Sequence, residues 1–481
     1  MRTNTPLRRR AAVTAVALVT AAGLLPAAVL TAGPAAAETV HPRAAAWTVA
    51  GHGWGHGRGM SQHGALGAAQ NGKGYGEIVS FYYPGTTLTP VDTSQDWIRV
   101  LLTADWKKEL SSPPLSPSLQ VDYAAGLTAH AGGRSMPLGL ADLWQVVRVG
   151  SRSSDRLVLQ SFANGQWTSH RMPGDTDIYN AGPIAFTSTS GVLRRIYPTG
   201  QTRDYRNELR AVDAGSGLAV VNHLLMEPYL KAVVPAEMPA SWHLEALRAQ
   251  SVAARSYSSR VRADARKANP SGAWDICDST QCQVYGGVGS EDPRTNGAVD
   301  ATAGRTLMYG GYPVFAEFSS SNGGWTVAGK HPYQVAKHDP YDGLAGGSVH
   351  RWSAKLTPAD LEKRFPQLGT LTRLRVVTRD GNGDWGGRVL TVVLEGVKDG
   401  AATSVTTTGR EVYLSRPWPS VGDGLRSNWW TITGSTSDPV GSLDLVRSGP
   451  TGERIAGWAL DRDADVNLRV HVYVDGRGTI A

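Results

Sequence analysis

The chain has 481 residues, enough for two or three domains that each bury a hydrophobic core. Its formal net charge is +7, but residues 1–37 hold four arginines and no acid, so that +7 less 4 leaves +3 for the remainder. This weakly basic balance argues against a nucleic-acid partner and would suit an anionic polymer. No run of about 18 apolar residues follows residue 37, so we expect no stable membrane span once that leader is cleaved.

Residues 1–37 have the organisation of a secretory signal peptide. Four arginines within residues 2–10 precede an apolar stretch over residues 11–30, and three alanines at 35–37 form a cleavage site. Pro26 and the small residues that end the segment favour cleavage over retention as a membrane anchor. We therefore predict a secreted protein, extracellular or associated with the cell wall.

Residues 51–64, GHGWGHGRGMSQHG, combine dense glycine with three histidines, His52, His56 and His63. Glycines at this density permit positive φ, so we predict a tight, ordered loop. A metal site is the alternative, but a loop broken by glycine lacks the rigid helix face that makes HExxH informative, and we assign no metal. Two short helices, at 61–70 and 77–83, are predicted to follow.

Residues 92–225 are predicted to be β-structure. Short apolar runs are separated there by Gly, Pro, Ser and Asp turns. The predicted strands are residues 98–102, 144–149, 156–160, 184–186 and 218–225. Because no catalytic constellation stands out, we interpret residues 92–204 as a β-rich accessory region.

Residues 229–257 are predicted to hold the functional site. An extended apolar piece at 230–234 leads to Glu237, and the prolines at 235 and 239 exclude a helix at that turn. A helix capped by Ser241 then runs to about residue 267. One face of this helix is predicted to be buried, with Leu244, Leu247, Ser251, Ala254, Val261 and Ala265 along it. Arg248 and Arg255 lie two turns apart on a neighbouring face.

The remaining segments are predicted to be loops and strands. Cys277 and Cys282 are expected to pair as a disulfide in an exported protein, and a metal half-site lacking two ligands is the alternative. Residues 313–326 are predicted to be a strand followed by a glycine turn rich in hydroxyl groups, with the sequence PVFAEFSSSNGGWT. This turn could donate hydrogen bonds to a ligand, and an ordinary hairpin bend is the alternative. Further strands are predicted at 371–377, 388–394 and 404–408, with the sequence GLRSNWWTI at 424–432. Residues 434–438 are predicted to be a linker, and the alternating tail at 468–474 a half-buried strand of a partial β module.

Residues 229–257 have the sequence YLKAVVPAEMPASWHLEALRAQSVAARSY. This sequence resembles the signature of the SpoIID/LytB family of sporulation and cell-wall proteins, which is YLxGVVPxEMPxSWPxEALKAQAVAARTY. Asp275, Gln283 and Tyr285 resemble the D…QxY segment of that family, and residues 319–326 its SxxGGxT ending. The loop at 51–64 and the YYPG that follows resemble GxGWGHGxGMSQxGA and its continuation. In the family this loop follows an LRSxWF strand at the C-terminal end, so the domain is predicted to be circularly permuted here.

The resemblance implies an α+β fold. It predicts a β-rich SpoIID-like catalytic domain with a central long helix, beside the β accessory region and the partial C-terminal β module. The domains expected are residues 38–91 (glycine-loop segment), 92–204, 205–433 (catalytic core) and 434–481. Some family members bind zinc through a His and two Cys, but residues 258–282 contain no His, so no cofactor is expected.

The resemblance also implies an activity. Catalytic family members are lytic transglycosylases that act on peptidoglycan glycan strands lacking stem peptides, and their essential acid falls on Glu237. Their functional basic pair falls on Arg248 and Arg255. The other residues expected to bind substrate are His56, Gln250, Tyr257, Gln283, Tyr285, Ser319 and Ser321. Other members modify wall amidases, so a non-catalytic, glycan-binding partner of a wall amidase is the alternative function.

One carboxylate fits transglycosylation better than hydrolysis. Ordinary glycosidases use two, whereas one acid suffices if the 6-hydroxyl of the sugar attacks its own anomeric carbon. Glu237 then needs a raised pKa, although a helix N-terminus and two nearby arginines would lower it. We therefore hypothesise that Arg248 and Arg255 pair with the free lactyl carboxylate of peptide-free muramic acid. As structural alternatives, Glu237 caps the following helix and Arg248 pairs with Glu245.

Overall fold

The fold is α+β and rich in strands, as predicted. We describe it from a computed structural model over residues 39–40, 46–103, 115–150, 156–347, 349–415, 424–435, 440–449, 452–460, 471–474 and 477–480. The predicted signal peptide, most of the predicted linker and the first part of the predicted tail strand lie outside these residues.

Seven α-helices occur within these ranges. They are α1 (Gln62–Gln70), α2 (Tyr75–Tyr82), α3 (Met226–Glu237), α4 (Leu244–Ala268), α5 (Pro293–Ala301), α6 (Pro358–Arg364) and α7 (Gly409–Ser415). Short 3₁₀ turns occur at Val288–Ser290, Pro366–Leu368 and Asp384–Gly386. None of the helices in the described part of the chain is long and apolar enough to cross a membrane.

Two large sheets contain most strands of the predicted β region. The first has the spatial order Ile276–Cys277, Trp97–Leu102, Leu218–Leu225, Glu208–Asp213, Ile184–Thr187, Thr128–Ala131 and Arg134–Pro137. The second has the order Gln166–His170, Arg156–Ala163, Leu143–Val149, Ser118–Asp122, Val192–Ile196 and Thr202–Arg206. Neighbouring strands are antiparallel, except that Ile276–Cys277 runs parallel to Trp97–Leu102. Strands before and after residue 204 pair with one another in the first sheet, and their buried side chains share one core with α3. The sheet is therefore continuous across the predicted domain boundary between residues 204 and 205.

Smaller sheets complete the described fold. A four-stranded sheet has the order Thr39–Val40, Thr370–Arg379, Val389–Lys398 and Ala401–Thr408. Three-stranded sheets have the orders Arg351–Leu356, Trp47–His52, Trp430–Ser435 and Tyr312–Pro313, Arg305–Tyr309, Thr87–Pro90. Two-stranded pairs join Met60–Ser61 to Phe318–Ser319, Val440–Gly449 to Gly452–Leu460, and His471–Val474 to Arg477–Ile480. The predicted strand within 313–326 is mostly irregular: it pairs at Pro313 and over Phe318–Ser319, with isolated bridges at Ser321 and Trp325.

The segment that leads to Glu237 is helical, which corrects the predicted extended piece and the predicted turn. α3 runs through residues 230–234 and ends at Glu237, with buried Tyr229, Leu230 and Val233 at helical spacing. A short apolar run fits a strand or a buried helix equally well, and burial on one face favours the helix here. Pro235 is tolerated because it lies two residues before the helix ends, where it removes a single helical hydrogen bond.

α4 is the predicted long helix, but it begins later than expected. His243, not Ser241, is the N-cap, and its Nδ1 accepts a 3.3 Å hydrogen bond from the backbone N–H of Glu245. Leu247 is fully buried as predicted, whereas Leu244 at the first position is 37% exposed. The helix contacts α1, α2, α3 and α5, so it is the central element around which the site is built.

The glycine-rich loop connects distant parts of the chain. The strand Trp47–His52 lies between Arg351–Leu356 and Trp430–Ser435, and Met60–Ser61 pairs in parallel with Phe318–Ser319. Gly59 has a φ of 64°, and a Cβ there would lie 1.9 Å from the carbonyl oxygen of Glu317. Only glycine permits this approach, which brings the loop beside residue 317 and confirms the predicted tight loop.

Candidate functional site

The end of α3 presents Glu237 to a cavity of about 340 Å³. The helix is held by its buried apolar face, so its last residue is placed at the rim of the core. The cavity is lined by residues from five separate segments, namely His56, Arg58, Glu237, Tyr257, Thr280, Gln281, Cys282, Val284, Glu317 and Phe318. The structure thus brings together Glu237, Tyr257 and His56 from the predicted set.

Glu237 is surrounded mainly by protein and has few polar partners. Its Oε1 accepts a 3.3 Å hydrogen bond from the backbone N–H of Val284, and its backbone carbonyl accepts one of 3.1 Å from Gln62 Nε2. Burial raises the pKa of Glu237 to about 7, and this effect outweighs the hydrogen bonds that lower it. The carboxyl group lies at the C-terminal end of a helix, where the dipole also disfavours a negative charge. Near neutral pH the group can therefore both give and take a proton.

Glu317 is a second carboxylate in the same cavity, which the sequence interpretation missed. Arg58 Nε donates to its two carboxylate oxygens at 3.1 and 2.9 Å, and Arg58 Nη2 donates to Oε1 at 2.6 Å. Gln334 Nε2 donates to Oε2 at 2.6 Å. Burial acts to raise the pKa of Glu317, but the Arg58 guanidinium and the Gln334 amide outweigh it and the pKa is lowered. In the sequence, the only indication of Glu317 as a site residue is that it is a lone acid between Ala316 and Phe318.

His56 and Tyr257 supply the other titratable groups of the cavity. Burial and the neighbouring Arg58 lower the pKa of His56 to about 4, so the ring is neutral at pH 7. Its Nδ1 accepts a 3.0 Å hydrogen bond from the backbone N–H of Arg58. Burial, with the Glu317 and Glu237 carboxylates, raises the pKa of Tyr257 to about 12. Tyr257 therefore remains a phenol that can donate a hydrogen bond.

The two arginines predicted to bind substrate lie elsewhere, which corrects their placement beside Glu237. Arg255 has no exposed side-chain surface and forms a 2.6 Å ion pair with Glu227. Arg248 pairs with Glu245 at 2.5 Å, the structural alternative weighed from the sequence. Neither lines the cavity, because their positions on α4 direct them toward the start of α3 and toward α2. The expected depression of the Glu237 pKa is therefore absent.

Gln283 and Tyr285 of the predicted set lie in the buried frame behind the cavity. Gln283 Oε1 accepts hydrogen bonds from Tyr229 Oη at 3.0 Å and from Ser258 Oγ at 2.6 Å. Tyr285 Oη donates to Asn222 Oδ1 at 2.6 Å. These bonds tie the segment after the disulfide to α3, α4 and the first sheet, so both side chains position the loop that carries Val284.

Three further predicted residues are buried beside α4 or the glycine turn. Gln250 is fully buried, and its amide atoms have no hydrogen-bond partner among the residues that the structure describes. Ser319 Oγ accepts a 3.2 Å hydrogen bond from the backbone N–H of Gly57, and Ser321 Oγ donates to Asp342 Oδ2 at 2.7 Å. The two serines thus fasten the glycine-rich loop and the turn at 319–324, and none of the three lines the cavity.

The predicted disulfide is confirmed. Cys277 and Cys282 are bonded, with their Cα atoms 5.6 Å apart. The loop that they close contributes Thr280, Gln281 and Cys282 to the cavity wall. Within the described ranges, no group of three or more His, Cys, Asp or Glu residues is arranged to hold a metal ion.

Comparison with known proteins identifies the segment that contains Glu237. Residues 214–309 match the SpoIID family, described as Stage II sporulation protein. The chain is 41% identical over 145 residues to a Bacillus subtilis (strain 168) protein named amidase enhancer, a match that covers 29% of this chain and 18% of that protein. It is 34% identical over 185 residues to an uncharacterised protein of Brachyspira hyodysenteriae, covering 38% of this chain and 46% of that one. It is 31% identical over 141 residues to Stage II sporulation protein D of Bacillus subtilis (strain 168), covering 25% and 40%.

The matches span less than half the length of each of these relatives. The matched family segment nevertheless contains α3, α4, the disulfide loop and Glu237. The chain therefore carries a SpoIID-family domain segment at residues 214–309, and the resemblance drawn from the motifs is confirmed there. The order of motifs that suggests a circular permutation stays a prediction.

Proposed function

We propose that the chain is a secreted, cell-wall-acting lytic transglycosylase that cleaves peptidoglycan glycan strands lacking stem peptides. The cut falls between N-acetylmuramic acid and N-acetylglucosamine. The observation that carries the proposal is a carboxyl group, Glu237, whose pKa is raised to about 7 by burial while it lines a cavity. Such a group in a cleft is suited to acid and base catalysis near neutral pH.

The proposed reaction uses one carboxyl group twice. Protonated Glu237 gives its proton to the glycosidic oxygen as the bond from that oxygen to the anomeric carbon breaks. The resulting carboxylate then takes the proton of the sugar's 6-hydroxyl, whose oxygen bonds to the anomeric carbon and closes a 1,6-anhydro ring. Glu237 ends protonated, as it began, and no water is consumed. The intramolecular attack supplies the proximity advantage.

Glu317 adds a second carboxylate to the cavity, so hydrolysis has to be weighed again. Its oxygens accept four hydrogen bonds from Arg58 and Gln334, which leaves it poorly placed to take a proton from water. Its lowered pKa keeps it ionised, so its charge can help to stabilise the positive charge that develops on the sugar. We therefore favour transglycosylation over hydrolysis.

Mass spectrometry of peptidoglycan treated with an amidase and then with this protein tests the proposal. We expect 1,6-anhydro ends, reduced at least about 100-fold by Glu237→Gln because the acid and base are lost together. Glu395→Gln is the matched control, since Glu395 lies on the strand Val389–Lys398 and does not line the cavity that contains Glu237. Reducing ends that carry oxygen from ¹⁸O-labelled water would show hydrolysis and overturn the mechanism.

A second candidate function is supported by the relative named amidase enhancer. In this alternative the chain binds wall glycan without cleaving it and modifies a cell-wall amidase, which would be its protein partner. Amidase assays with added protein separate the two functions. Stimulation that survives Glu237→Gln, with no anhydro ends produced by the unmodified chain, would favour the alternative.

A further inference from the structure

The second large sheet has an inner face in the core and an outer face that is largely accessible. On the inner face, Leu119, Val146 and Leu159 are completely buried. The alternate residues of the same strands form the outer face, and the partly or fully exposed ones include Gln120, Gln160, Phe162, Trp167 and Ser169. We propose that this outer face is a second carbohydrate-binding surface, on which a glycan strand lies flat and is held through its hydroxyl and acetamido groups.

Three glutamines and a serine form a hydrogen-bonded ladder across the outer face. Gln120 Nε2 donates to Gln145 Oε1 at 3.0 Å, and Gln145 Nε2 donates to Gln160 Oε1 at 2.8 Å. Gln160 Nε2 continues the ladder to Ser169 Oγ at 3.2 Å, on the edge strand of the sheet. An amide nitrogen has two hydrogens and its oxygen accepts two hydrogen bonds, so these bonds leave each glutamine a donor and an acceptor for a ligand.

An aromatic pair lies beside the end of this ladder. Phe162 is opposite Trp167 on the two strands that also pair Gln160 with Ser169, and the ring centroids are 5.0 Å apart at an angle of 47°. Trp167 is 43% exposed, so its ring presents apolar surface to a ligand. An exposed indole next to ordered amides suits a pyranose, whose ring face is apolar and whose substituents form hydrogen bonds.

The charges of the outer face also fit a ligand that binds through uncharged groups. Arg194 donates to Asp204 at 2.8 and 3.1 Å, and Arg206 donates to Glu291 at 2.6 and 2.9 Å. The ladder itself has no ionisable group, so the face lacks the unpaired cations that a nucleic acid would require. A strand of N-acetylated amino sugars complements such a face. Any carboxylate on an equatorial substituent of the strand stays at the edge of its ring, in water.

The outer face is separate from the cavity that contains Glu237. The strand Thr202–Arg206 contacts the turn Val288–Ser290, which follows the cavity wall at Val284. The edge strand Gln166–His170 is five strand positions away from Thr202–Arg206, or about 24 Å at the usual spacing of about 4.8 Å. No residue of the ladder lines the cavity. The surface would therefore hold a long strand independently of cleavage at Glu237.

Surface plasmon resonance on immobilised peptide-free peptidoglycan strands tests the surface. The Glu237→Gln protein is used so that the strands are not cleaved during the measurement. Trp167→Ala and Gln160→Ala, each added to it, are expected to raise the dissociation constant at least about 10-fold, since each removes a contact group of the outer face. The matched controls are Tyr312→Ala, at a 55% exposed aromatic residue, and Gln70→Ala, at the exposed end of α1. Both are expected to leave the dissociation constant unchanged.

Chitohexaose, a soluble neutral oligomer of N-acetylglucosamine, tests the ligand class. We expect it to slow amide hydrogen exchange in the strands Arg156–Ala163 and Gln166–His170 of the Glu237→Gln protein, because the bound oligomer covers them. Gln160→Ala is expected to remove this protection. If millimolar chitohexaose left exchange in both strands unchanged, recognition through uncharged groups, and with it the proposal, would be overturned.

The outcomes separate this surface from the proposed function. Unchanged strand affinity in both Trp167→Ala and Gln160→Ala would overturn the surface and leave cleavage at Glu237 intact. An equal loss in the two controls would also overturn it, since binding would then not depend on the outer face. A selective loss in the two variants, with no anhydro ends formed by the unmodified chain, would support the surface and overturn the cleavage. A dimer that Trp167→Ala dissociates, with strand affinity unchanged, would assign the face to a second copy of the chain and overturn the proposal.

Discussion

At the scale of single residues, the proposed chemistry depends on the different surroundings of two acids. Burial raises the pKa of Glu237, whereas Arg58 and Gln334 hold the pKa of Glu317 below its ordinary value. Two carboxyl groups whose pKa values are moved apart are suited to different roles in one reaction. The sequence placed an acid near two arginines, but those arginines are paired with Glu227 and Glu245.

The Glu237→Gln protein is expected to be more stable than the unmodified chain, by an amount that grows as pH rises. The folded-state pKa of about 7 exceeds the ordinary 4.5, so the folded protein holds this proton more tightly than the unfolded chain. The resulting stabilisation is fully present below about pH 4.5 and is lost as pH rises through 7. By pH 8 the loss amounts to about 3 kcal/mol, and the Glu237→Gln protein does not incur it.

Urea denaturation of both proteins between pH 4.5 and pH 8 measures this difference. Comparing the two proteins at each pH cancels the contribution of the other titrating groups. A difference in free energy of unfolding that does not change with pH would contradict the assigned burial of Glu237. In the same pH range, the activity of the unmodified chain is expected to fall above about pH 7, because the acid form is then depleted.

Arg255→Ala is expected to reduce stability by about 3–5 kcal/mol, because it leaves Glu227 partly buried without its partner. Residual activity should fall equally on glycan with and without stem peptides, since the guanidinium does not reach the cavity. The double variant Glu227→Gln/Arg255→Met should be less destabilised than Arg255→Ala, as no uncompensated charge remains. Thermal unfolding measures the loss of stability, and assays on both glycans measure the loss of activity. A loss of activity on peptide-free strands alone would restore the substrate-binding role predicted for Arg255.

At the scale of elements, the site is formed by α3, α4 and three loops, of which the glycine-rich loop contributes His56 and Arg58. The disulfide loop and the segment around Glu317 complete the wall that the helices leave open. Val284 follows the disulfide closely and donates its backbone N–H to Glu237. The position of this donor therefore depends on the loop closed by Cys277 and Cys282.

Replacing both cysteines by alanine is expected to lower the free energy of unfolding by about 2 kcal/mol, since a loop this short restricts the unfolded chain only modestly. We expect activity to fall by about 10-fold or more, because a small displacement of the Val284 donor and the cavity wall disturbs positioning. Dithiothreitol should reproduce both effects in the unmodified chain and change nothing in the double variant. Full activity after complete reduction would show that the loop does not position the site.

At the scale of the whole molecule, segments far apart in the chain build one site. The loop that carries His56 and Arg58 continues the strand Trp47–His52, which pairs with Trp430–Ser435 and Arg351–Leu356. Trp429 and Trp430 are buried beside it, and Trp430 belongs to the core of this part of the fold. The glycine-rich loop is thus supported by residues about 380 positions further along the chain.

Truncation at two positions tests this support. A chain that ends at residue 435 keeps the strand Trp430–Ser435 and is expected to stay folded and active. A chain that ends at residue 423 loses that strand and two buried tryptophans, so we expect it to unfold or to be degraded. Circular dichroism and the anhydro-end assay check both. Activity of the chain that ends at residue 423 would show that the sheet does not hold the loop.

Much of the fold and part of the site follow from local sequence. Strand periodicity placed the strands at 98–102 and 218–225, and helical periodicity placed α4, because each is set by neighbours along the chain. The extended interpretation of 230–234 was wrong, since a short apolar run and a proline near a helix end are compatible with both conformations. Glu317 was missed because its partners, Arg58 and Gln334, come from segments whose proximity no local pattern reveals.

Residue types and their short spacings are enough to predict the motif that contains Glu237, the cysteine pair and the glycine-rich loop. The tertiary structure alone shows that Glu237 ends a helix away from Arg248 and Arg255, and that Glu317 and Arg58 share its cavity. The physical reason is that pKa values and cavities depend on burial and on charges brought together across hundreds of residues.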